Sequence, residues 1–542
     1  MRVAEALVRL LEELSVEYIF GIPGVHTLPI YDALRDSSKI RHVLARHEAG
    51  AAGMADGYAR ASGRPGVCLL AAGPGATNAL TAVSNAYLDS QPLVVLAGGI
   101  KTTTWGRGGI HEYDQLSIFR PITKLSVRPN SPSEVLATVM RAYESSMSGR
   151  RRPVFVELPF DYLLAETTQI QIERGEKPVA APTREEVEEA FRLISRARKI
   201  LIILGGGVVS SEAWREASTL ARLIHAPVCA TIMGKGAFDE YDPQFVGLLF
   251  TEESISCVSE ADLVVALGCR FSERSTGAWR LRMKELIHVD IDPSEQGRNY
   301  RPTLAVNADV KAFLEALLVL LTSRISEIRT DREWYKKYVR RQQEAHSCVS
   351  SGTLTASAVA SEVLRLAPED AVFSVDTGYS FWHTVTRVRM REPRRYLCSA
   401  GNSAMGFALP AAIGAKLARP DKYVIAFVGD GSFFMSSQEL ATAVELNIDL
   451  TVVVLNDSGY GSIRDYQEQS FEGRLFACEY RSPDIEMIAK AYGAKSATAK
   501  TREEVNEFVE EALRRGGVNV LDARITPAEK VLPDFLTSSY RK

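Results

Sequence analysis

What this chain of 542 residues lacks narrows its class before any motif is read. It has no basic excess: Lys+Arg number 64 and Asp+Glu 67, a balance of −3, whereas a nucleic-acid protein normally carries a basic face. It has no apolar run of membrane-span length. It has no C-x-x-C pair, so its seven scattered cysteines read as reduced thiols, with no disulfide framework or zinc site, as in a cytoplasmic protein. It does not open on a signal peptide either, because Glu5, Glu12 and Glu13 interrupt the first apolar stretch. That stretch reads as an amphipathic helix with Val3, Leu7, Leu10, Leu11 and Leu14 on one face. Neither nucleic acid nor membrane is expected as a partner.

What is present is the grammar of an α/β protein. Short β-branched runs alternate with helical stretches almost throughout, for example Val67–Ala71, Leu93–Ala97, Ile200–Leu204, Leu263–Leu267, Ile287–Ile291, Val424–Val428 and Thr451–Leu455. A polar, proline-bearing stretch at Ile172–Thr183 and a charged, then Ser-rich one at Ser323–Gly352 read as linkers. Three doubly wound parallel-sheet domains follow, at 1–165, 184–322 and 352–542. The first and third echo each other: a helix of small residues, a strand, a glycine turn (Gly73-Pro74-Gly75 or Gly429-Asp430-Gly431), a helix and a second strand. Either the two are related folds or any two α/β units look this similar.

The strongest chemical signal lies between Val424 and Asp457. One strand runs into Gly429-Asp430-Gly431, and after a helix a second strand ends at Asn456-Asp457. In open parallel sheets, ligands bind beyond the carboxyl ends of strands. Both strand tips carry hard oxygen ligands, Asp430 and Asp457, and the Gly459 carbonyl follows; Mg²⁺ takes a few such oxygens together with phosphate oxygens and water. Gly431 permits close approach of a phosphate, and the helix from Ser432 aims its N–H groups at it. A lone G-D-G is equally a helix N-cap at Asp430. The second acidic strand tip at the matching distance is what favours a metal and diphosphate site.

This spacing resembles the motif of enzymes that bind thiamine diphosphate, and the likeness extends along the chain through FGIPG (20–24), RHEAGAAGMADGYAR (46–60), GPGATN (73–78), PITK (121–124), MGKGAF (233–238), GCRFSERSTG (268–277), HVDIDPSE (288–295) and MGFALPAAIGA (405–415). The sequence resembles the catalytic large subunit of acetolactate synthase and related 2-oxo acid decarboxylases. The resemblance implies Asp430, Asp457 and the Gly459 carbonyl as ligands of Mg²⁺; family members often have Asn where Asp457 stands, so an added negative charge is expected there. It implies Glu48 as the catalytic glutamate that hydrogen-bonds the cofactor pyrimidine, a role that calls for burial. Met405 falls where the family has the wedge that bends the cofactor, with the Ser403 carbonyl as acceptor for its amine. Ser380 and Ser432 fall near the diphosphate. Gly24 and Asn78 on one side, and Tyr460, Gly461, Ser462 and Ile463 on the other, complete the implied cofactor contacts. The smallest active form implied is a homodimer with sites at the subunit interface, or a homotetramer, and the family leaves room for a regulatory small subunit.

Thiamine chemistry provides an electron sink for a 2-oxo acid that loses CO₂. Protonation then gives an aldehyde, addition to a second 2-oxo acid gives an acetohydroxy acid, and flavin oxidation gives a third outcome. Several positions depart from the synthase: Ile110-His111-Glu112 stands for its Phe-Gln-Glu, Tyr466 for its specificity tryptophan, Tyr379-Ser380 for its Gln-His pair and Phe160 for its lysine. His111 can donate or shuttle a proton, so it is a catalytic and substrate candidate with Tyr466 and Gln467. Alternatively it is a surface turn residue. Gly205-Gly206-Gly207 after a strand, with Arg270 and Arg274 retained, admits FAD in the central domain, although the family's Met-His-Gly segment is absent after GLLF (247–250). The leading expectation is an acetolactate synthase-like carboligase acting on a pyruvate-like 2-oxo acid; the alternatives are a non-ligating decarboxylase and a flavin-linked oxidase. A mobile segment around Gln467–Tyr480 is expected to close over the site.

Overall fold

The structure, a computed structural model, describes residues 1–168, 179–346, 353–527, 529 and 532–537. The N-terminal amphipathic helix forms over Val3–Glu13 and buries Val3, Leu7, Leu10 and Leu11. Beyond it the chain builds three six-stranded sheets. The first contains β1 (Tyr18–Gly21), β2 (Arg41–Leu44), β3 (Gly66–Leu70), β4 (Leu93–Gly99), β5 (Leu125–Val127) and β6 (Val154–Pro159). The second contains β7 (Ile200–Leu204), β8 (Val228–Ala230), β9 (Phe245–Leu248), β10 (Leu263–Leu267), β11 (Leu286–Val289) and β12 (Leu304–Val306). The third contains β13 (Val372–Val375), β14 (Tyr396–Cys398), β15 (Val424–Gly429), β16 (Leu450–Asn456), β17 (Lys495–Ala499) and β18 (Val518–Arg524).

Neighbouring strands run parallel, as in the β15–β16 and β3–β4 registers. Helices therefore cover both faces, and strands such as ILIIL at β7 are apolar and buried end to end. The first and third sheets share one strand order, β2-β1-β3-β4-β6-β5 and β14-β13-β15-β16-β18-β17. The middle sheet runs β12-β11-β10-β7-β8-β9, the order of a dinucleotide-binding fold read from its edge. The echo between the ends of the chain is thus a shared topology, distinct from that of the middle unit.

The two echoing helices, Glu48–Ser62 and Ala408–Ala418, pack directly on each other. A Cβ at Gly57 would overlap the Ala411 backbone, and one at Gly414 would overlap the Met54 carbonyl, so glycine at each sets the closeness of the two backbones. The buried core of the first unit continues through this contact into that of the third. Of the expected linkers, 172–178 and 347–352 lie outside the described residues, and Lys336–His346 is a helix.

Candidate active site

The carboxyl ends of the first sheet gather one group of side chains. Glu48 opens the helix after β2, with His47 as its N-cap. Asn78 Nδ2 donates to Glu48 Oε2 at 2.9 Å. Glu48 Oε1 faces Gly75, where a Cβ would sit 3.3 Å away. Asn78 thus engages Glu48 itself. The expected burial of Glu48 does not hold in one chain: the side chain is half-buried, because the surface around it stays open. Gly24, after β1, packs so tightly on Ala71 that a Cβ would overlap it.

His111 follows β4 and holds a positive φ of 67°, a conformation that costs a bulky residue free energy and clusters at functional sites. Its loop is pinned to the Gly73 turn. Tyr113 Oη donates to the Gly73 carbonyl at 2.7 Å, and Gln115 accepts from Gly73 N at 3.3 Å while donating to the Gly98 carbonyl at 3.1 Å. A Cβ at Gly73 would lie 2.5 Å from His111 Nδ1, so the imidazole rests on the glycine turn. His26, which the motifs do not flag, meets His111 edge-on with ring centroids 5.5 Å apart and meets Phe160 at 6.3 Å. Burial, with the neighbouring His111, lowers the pKa of His26.

The carboxyl ends of the third sheet gather the second group. Asp430 is 1% exposed, and neither carboxylate oxygen has a hydrogen-bond partner. Burial, reinforced by the charge of Asp457, pushes its pKa up to about 7. A buried carboxylate left unpaired is costly unless a cation or another ligand completes it. Ser462 Oγ and Tyr480 Oη are also buried without a well-formed hydrogen bond, although Tyr480 lies near enough to Asp430 to act on its carboxyl. A Cβ at Gly431 would meet the Tyr460 ring at 2.7 Å, and one at Gly461 would meet Asp457 Oδ2 at 2.5 Å. This turn is therefore a cradle from which side chains are excluded. Gly459 is held by an antiparallel bridge to Glu479, with Tyr460 N donating to the Cys478 carbonyl at 2.7 Å. The unpaired Asp430 carboxylate, with Asp457 on the adjacent strand tip and glycine turns around them, fits a hard cation carrying a diphosphate.

Asp457, where an added negative charge is expected, is paired within the protein. Arg464 Nη1 donates to its Oδ2 at 2.9 Å, although burial still raises the Asp457 pKa overall. Asp376, at the tip of β13, lies outside every motif. It accepts from the Gly406, Ala408 and Thr377 backbone N–H groups at 3.1, 2.8 and 3.0 Å, and burial pushes its pKa up to about 6. It thereby fixes the turn that carries Ser403 and Met405, with Ser432 beside it. Met405 is partly exposed, and Ser403 adopts a positive φ of 55°.

Other expected contacts are engaged within the protein. Ser380 Oγ turns onto the Thr377 carbonyl at 3.2 Å. The Gln467 amide is occupied at both ends by the Phe476 backbone, donating at 2.9 Å and accepting at 2.8 Å. Tyr466 packs against the core. The segment expected to close over the site begins as the helix Gly461–Ser470 and continues past Phe471 and Phe476, the latter 83% exposed.

A cavity of about 580 Å³ opens at the carboxyl ends of the middle sheet, between all three units. Gly206, Gly207 and Asp290 line it together with Arg150, Arg270 and Arg274. Arg274 donates to Ser403 Oγ at 2.6 Å and lies over the Phe381 ring at 5.0 Å. Burial pushes the Asp290 carboxyl up to about 6. The glycine turn, the acidic tip of β11 and the arginines suit a dinucleotide diphosphate with its ribose.

Comparison with known proteins gives matches along the chain. Residues 1–118 match the N-terminal TPP binding domain of thiamine pyrophosphate enzymes, residues 187–317 their central domain and residues 376–523 their C-terminal TPP binding domain. A probable acetolactate synthase large subunit of Methanocaldococcus jannaschii is 35% identical, over 98% of this chain and 93% of that protein. The acetolactate synthase isozyme 1 large subunit of Escherichia coli is 33% identical, over 98% and 95% respectively. An acetolactate synthase of Mycobacterium bovis is 36% identical, over 94% and 85%.

Proposed function

This chain belongs to the thiamine pyrophosphate enzymes, among the relatives of acetolactate synthase large subunits, and from that premise we propose that it decarboxylates a pyruvate-like 2-oxo acid and joins the remaining acyl unit to a second 2-oxo acid. The observation that carries the reading is the pair of buried Asp430 oxygens that no protein group satisfies, on the strand next to the one that ends at Asp457.

Thiamine diphosphate, when bound, supplies an electron sink for the pair left behind as CO₂ departs. The chain's own residues divide the remaining work. Asp430, Asp457 and the Gly459 carbonyl hold Mg²⁺, and the Gly431 turn with Ser432 and Ser462 receives the diphosphate. Glu48 handles a proton at Oε1, since Asn78 occupies Oε2. Met405 would support the cofactor beside the Ser403 carbonyl. In this division residues 1–165 form the pyrimidine half, 352–542 the diphosphate and metal half, and 184–322 the central domain, whose cavity takes FAD.

The two halves belong to a site completed by a second copy, as a homodimer or a pair of dimers. Val25 and Ile110, 68% and 82% exposed, flank the first group of residues, and Met435 and Ile463 flank the second; these apolar surfaces are left open in a single chain. Relatives described as large subunits support a regulatory small subunit. Among the described residues no helix is long and apolar enough to cross a membrane.

A specific observation favours a second reading. His26 and His111 form a pair of imidazoles, His111 on the Gly73 turn and His26 against Gly98, which suits protonation to an aldehyde. Incubation of the purified protein with thiamine diphosphate, Mg²⁺ and pyruvate separates the readings. Acetolactate supports carboligation, acetaldehyde the non-ligating decarboxylase, and peroxide a flavin-linked oxidase. No turnover of pyruvate or of larger 2-oxo acids removes all three.

A further inference from the structure

One buried carboxylate outside the site described above joins the two half-sites within a single chain. Glu439 opens the helix Glu439–Glu445, nine residues beyond Asp430. It is 0% exposed. Its Oε1 accepts from His47 N at 3.0 Å and Arg46 N at 3.2 Å, and its Oε2 from Arg46 N at 3.2 Å and Thr442 Oγ1 at 3.0 Å. These two peptide N–H groups immediately precede Glu48. Gly50, two residues beyond Glu48 in the helix Glu48–Ser62, lies so close that a Cβ there would overlap Glu439 Oε1. The carboxylate also sits at the positive end of the fifteen-residue helix that Glu48 opens.

Such burial is expensive for a carboxylate and is offset here by charge-assisted hydrogen bonds to backbone N–H groups. A surface cap would anchor the helix equally well at lower cost. What the buried arrangement adds is a connection: the segment that starts at the Asp430 turn ends on the peptide units that set the position of Glu48. We propose that Glu439 is a positioning residue for Glu48, clamping the 46–47 backbone to the second helix after the metal-binding turn so that the Glu48 carboxyl is held in register for proton transfer. This rests on the reading of Glu48 given above. The raised pKa of Glu439, pushed up to about 7 by burial, is in keeping with a group whose hydrogen bonds have been built at the expense of solvation.

The test is the rate of C2 proton exchange of thiamine diphosphate bound to the Mg²⁺-loaded protein, followed by quenched-flow NMR for Glu439→Gln, Glu439→Asp, Glu48→Gln and the double variant Glu48→Gln/Glu439→Gln. Cofactor affinity is measured in parallel by intrinsic fluorescence. The clamp predicts that Glu439→Gln slows exchange by about ten- to a hundredfold while cofactor affinity stays within about twofold. It predicts partial recovery in Glu439→Asp and a double variant no slower than Glu48→Gln alone. Wild-type exchange in Glu439→Gln beside slow exchange in Glu48→Gln overturns the clamp and leaves the reading of Glu48 standing. So does a double variant slowed by the product of the two single effects. Wild-type exchange in Glu48→Gln removes that reading, and the clamp with it. If Glu439→Gln does not fold, Glu439→Asp carries the same comparison, since a shortened carboxylate must still displace the 46–47 backbone.

Discussion

Arg464 and Asp457 form an ion pair inside the candidate metal site, with Nη1 2.9 Å from Oδ2 and side chains only 8% and 4% exposed. A Cβ at Gly459 would lie 2.5 Å from Arg464 Nη2, so the guanidinium also packs on the third candidate ligand residue. Arg464 is therefore the internal counter-charge to the Asp that replaces the family's frequent Asn. Glu479 Oε1, 3.5 Å from Arg464 Nε, steadies it from the other side.

Replacing Arg464 by Gln should leave Asp430 and Asp457 facing each other without a cation. The metal-free protein should lose stability on the order of 2 kcal/mol, and Mg²⁺ with thiamine diphosphate should restore most of it. Thermal melts with and without Mg²⁺ check this. Equal melting of variant and wild type without metal would remove the counter-charge role.

Asp430→Asn should behave in the opposite way. Because the Asp430 oxygens are buried and unpartnered, the neutral amide should melt no lower than wild type without metal. The same variant should lose Mg²⁺-dependent cofactor binding, read by fluorescence titration.

Glu48→Gln keeps the size of the side chain and its approach to Asn78 but removes the ionisable group. Turnover should fall by about 10²- to 10⁴-fold. Mg²⁺ affinity, which depends on the other sheet, should not change. Steady-state kinetics and a metal titration on one preparation separate the two effects.

Glu439 also gives a pH signature with a definite sign. Its folded pKa, about 7, lies above its ordinary 4.5, so the folded state binds the proton more tightly. Its contribution to stability is fully present below pH 4.5 and is lost as the pH rises towards 7. The metal-free melting temperature should therefore fall across that window, with Glu439→Gln giving a shallower slope. Identical slopes would show that other groups govern the profile.

The cavity among Gly206, Asp290 and Arg274 should hold FAD tightly enough to survive purification, giving a flavin absorption band. Arg274→Ala should weaken retention by roughly tenfold through lost charge-assisted contact. A colourless protein that takes up no added FAD would assign the cavity to another ligand.

The motif at Asp430 was legible because it is local: a strand tip, a glycine and a helix start declare themselves within a few residues. Strand positions were legible for the same reason, since buried parallel strands are short runs of apolar residues, and their ends moved by no more than two positions. The likeness of the first and third units was visible only as an echo of helix, strand and turn; the structure shows that they share one strand order. His26, Asp376, Glu439 and Arg464 gave no comparable signal. A histidine after a glycine turn or a glutamate in a helix is ordinary in sequence, and each acquires its meaning from a partner elsewhere in the fold.

By itself, then, the sequence determined the α/β class, the acidic strand tips and the family, because these depend on residue type and on spacing within one strand–turn–helix unit. Only the tertiary structure decided which groups those tips face. It placed the Glu439 carboxylate on the backbone before Glu48, across 393 and 392 residues of chain, paired Arg464 with Asp457, and set His26 against His111. The physical reason is that burial and hydrogen bonding depend on what surrounds a side chain, and in a parallel α/β protein those surroundings are assembled from the ends of strands far apart in the chain.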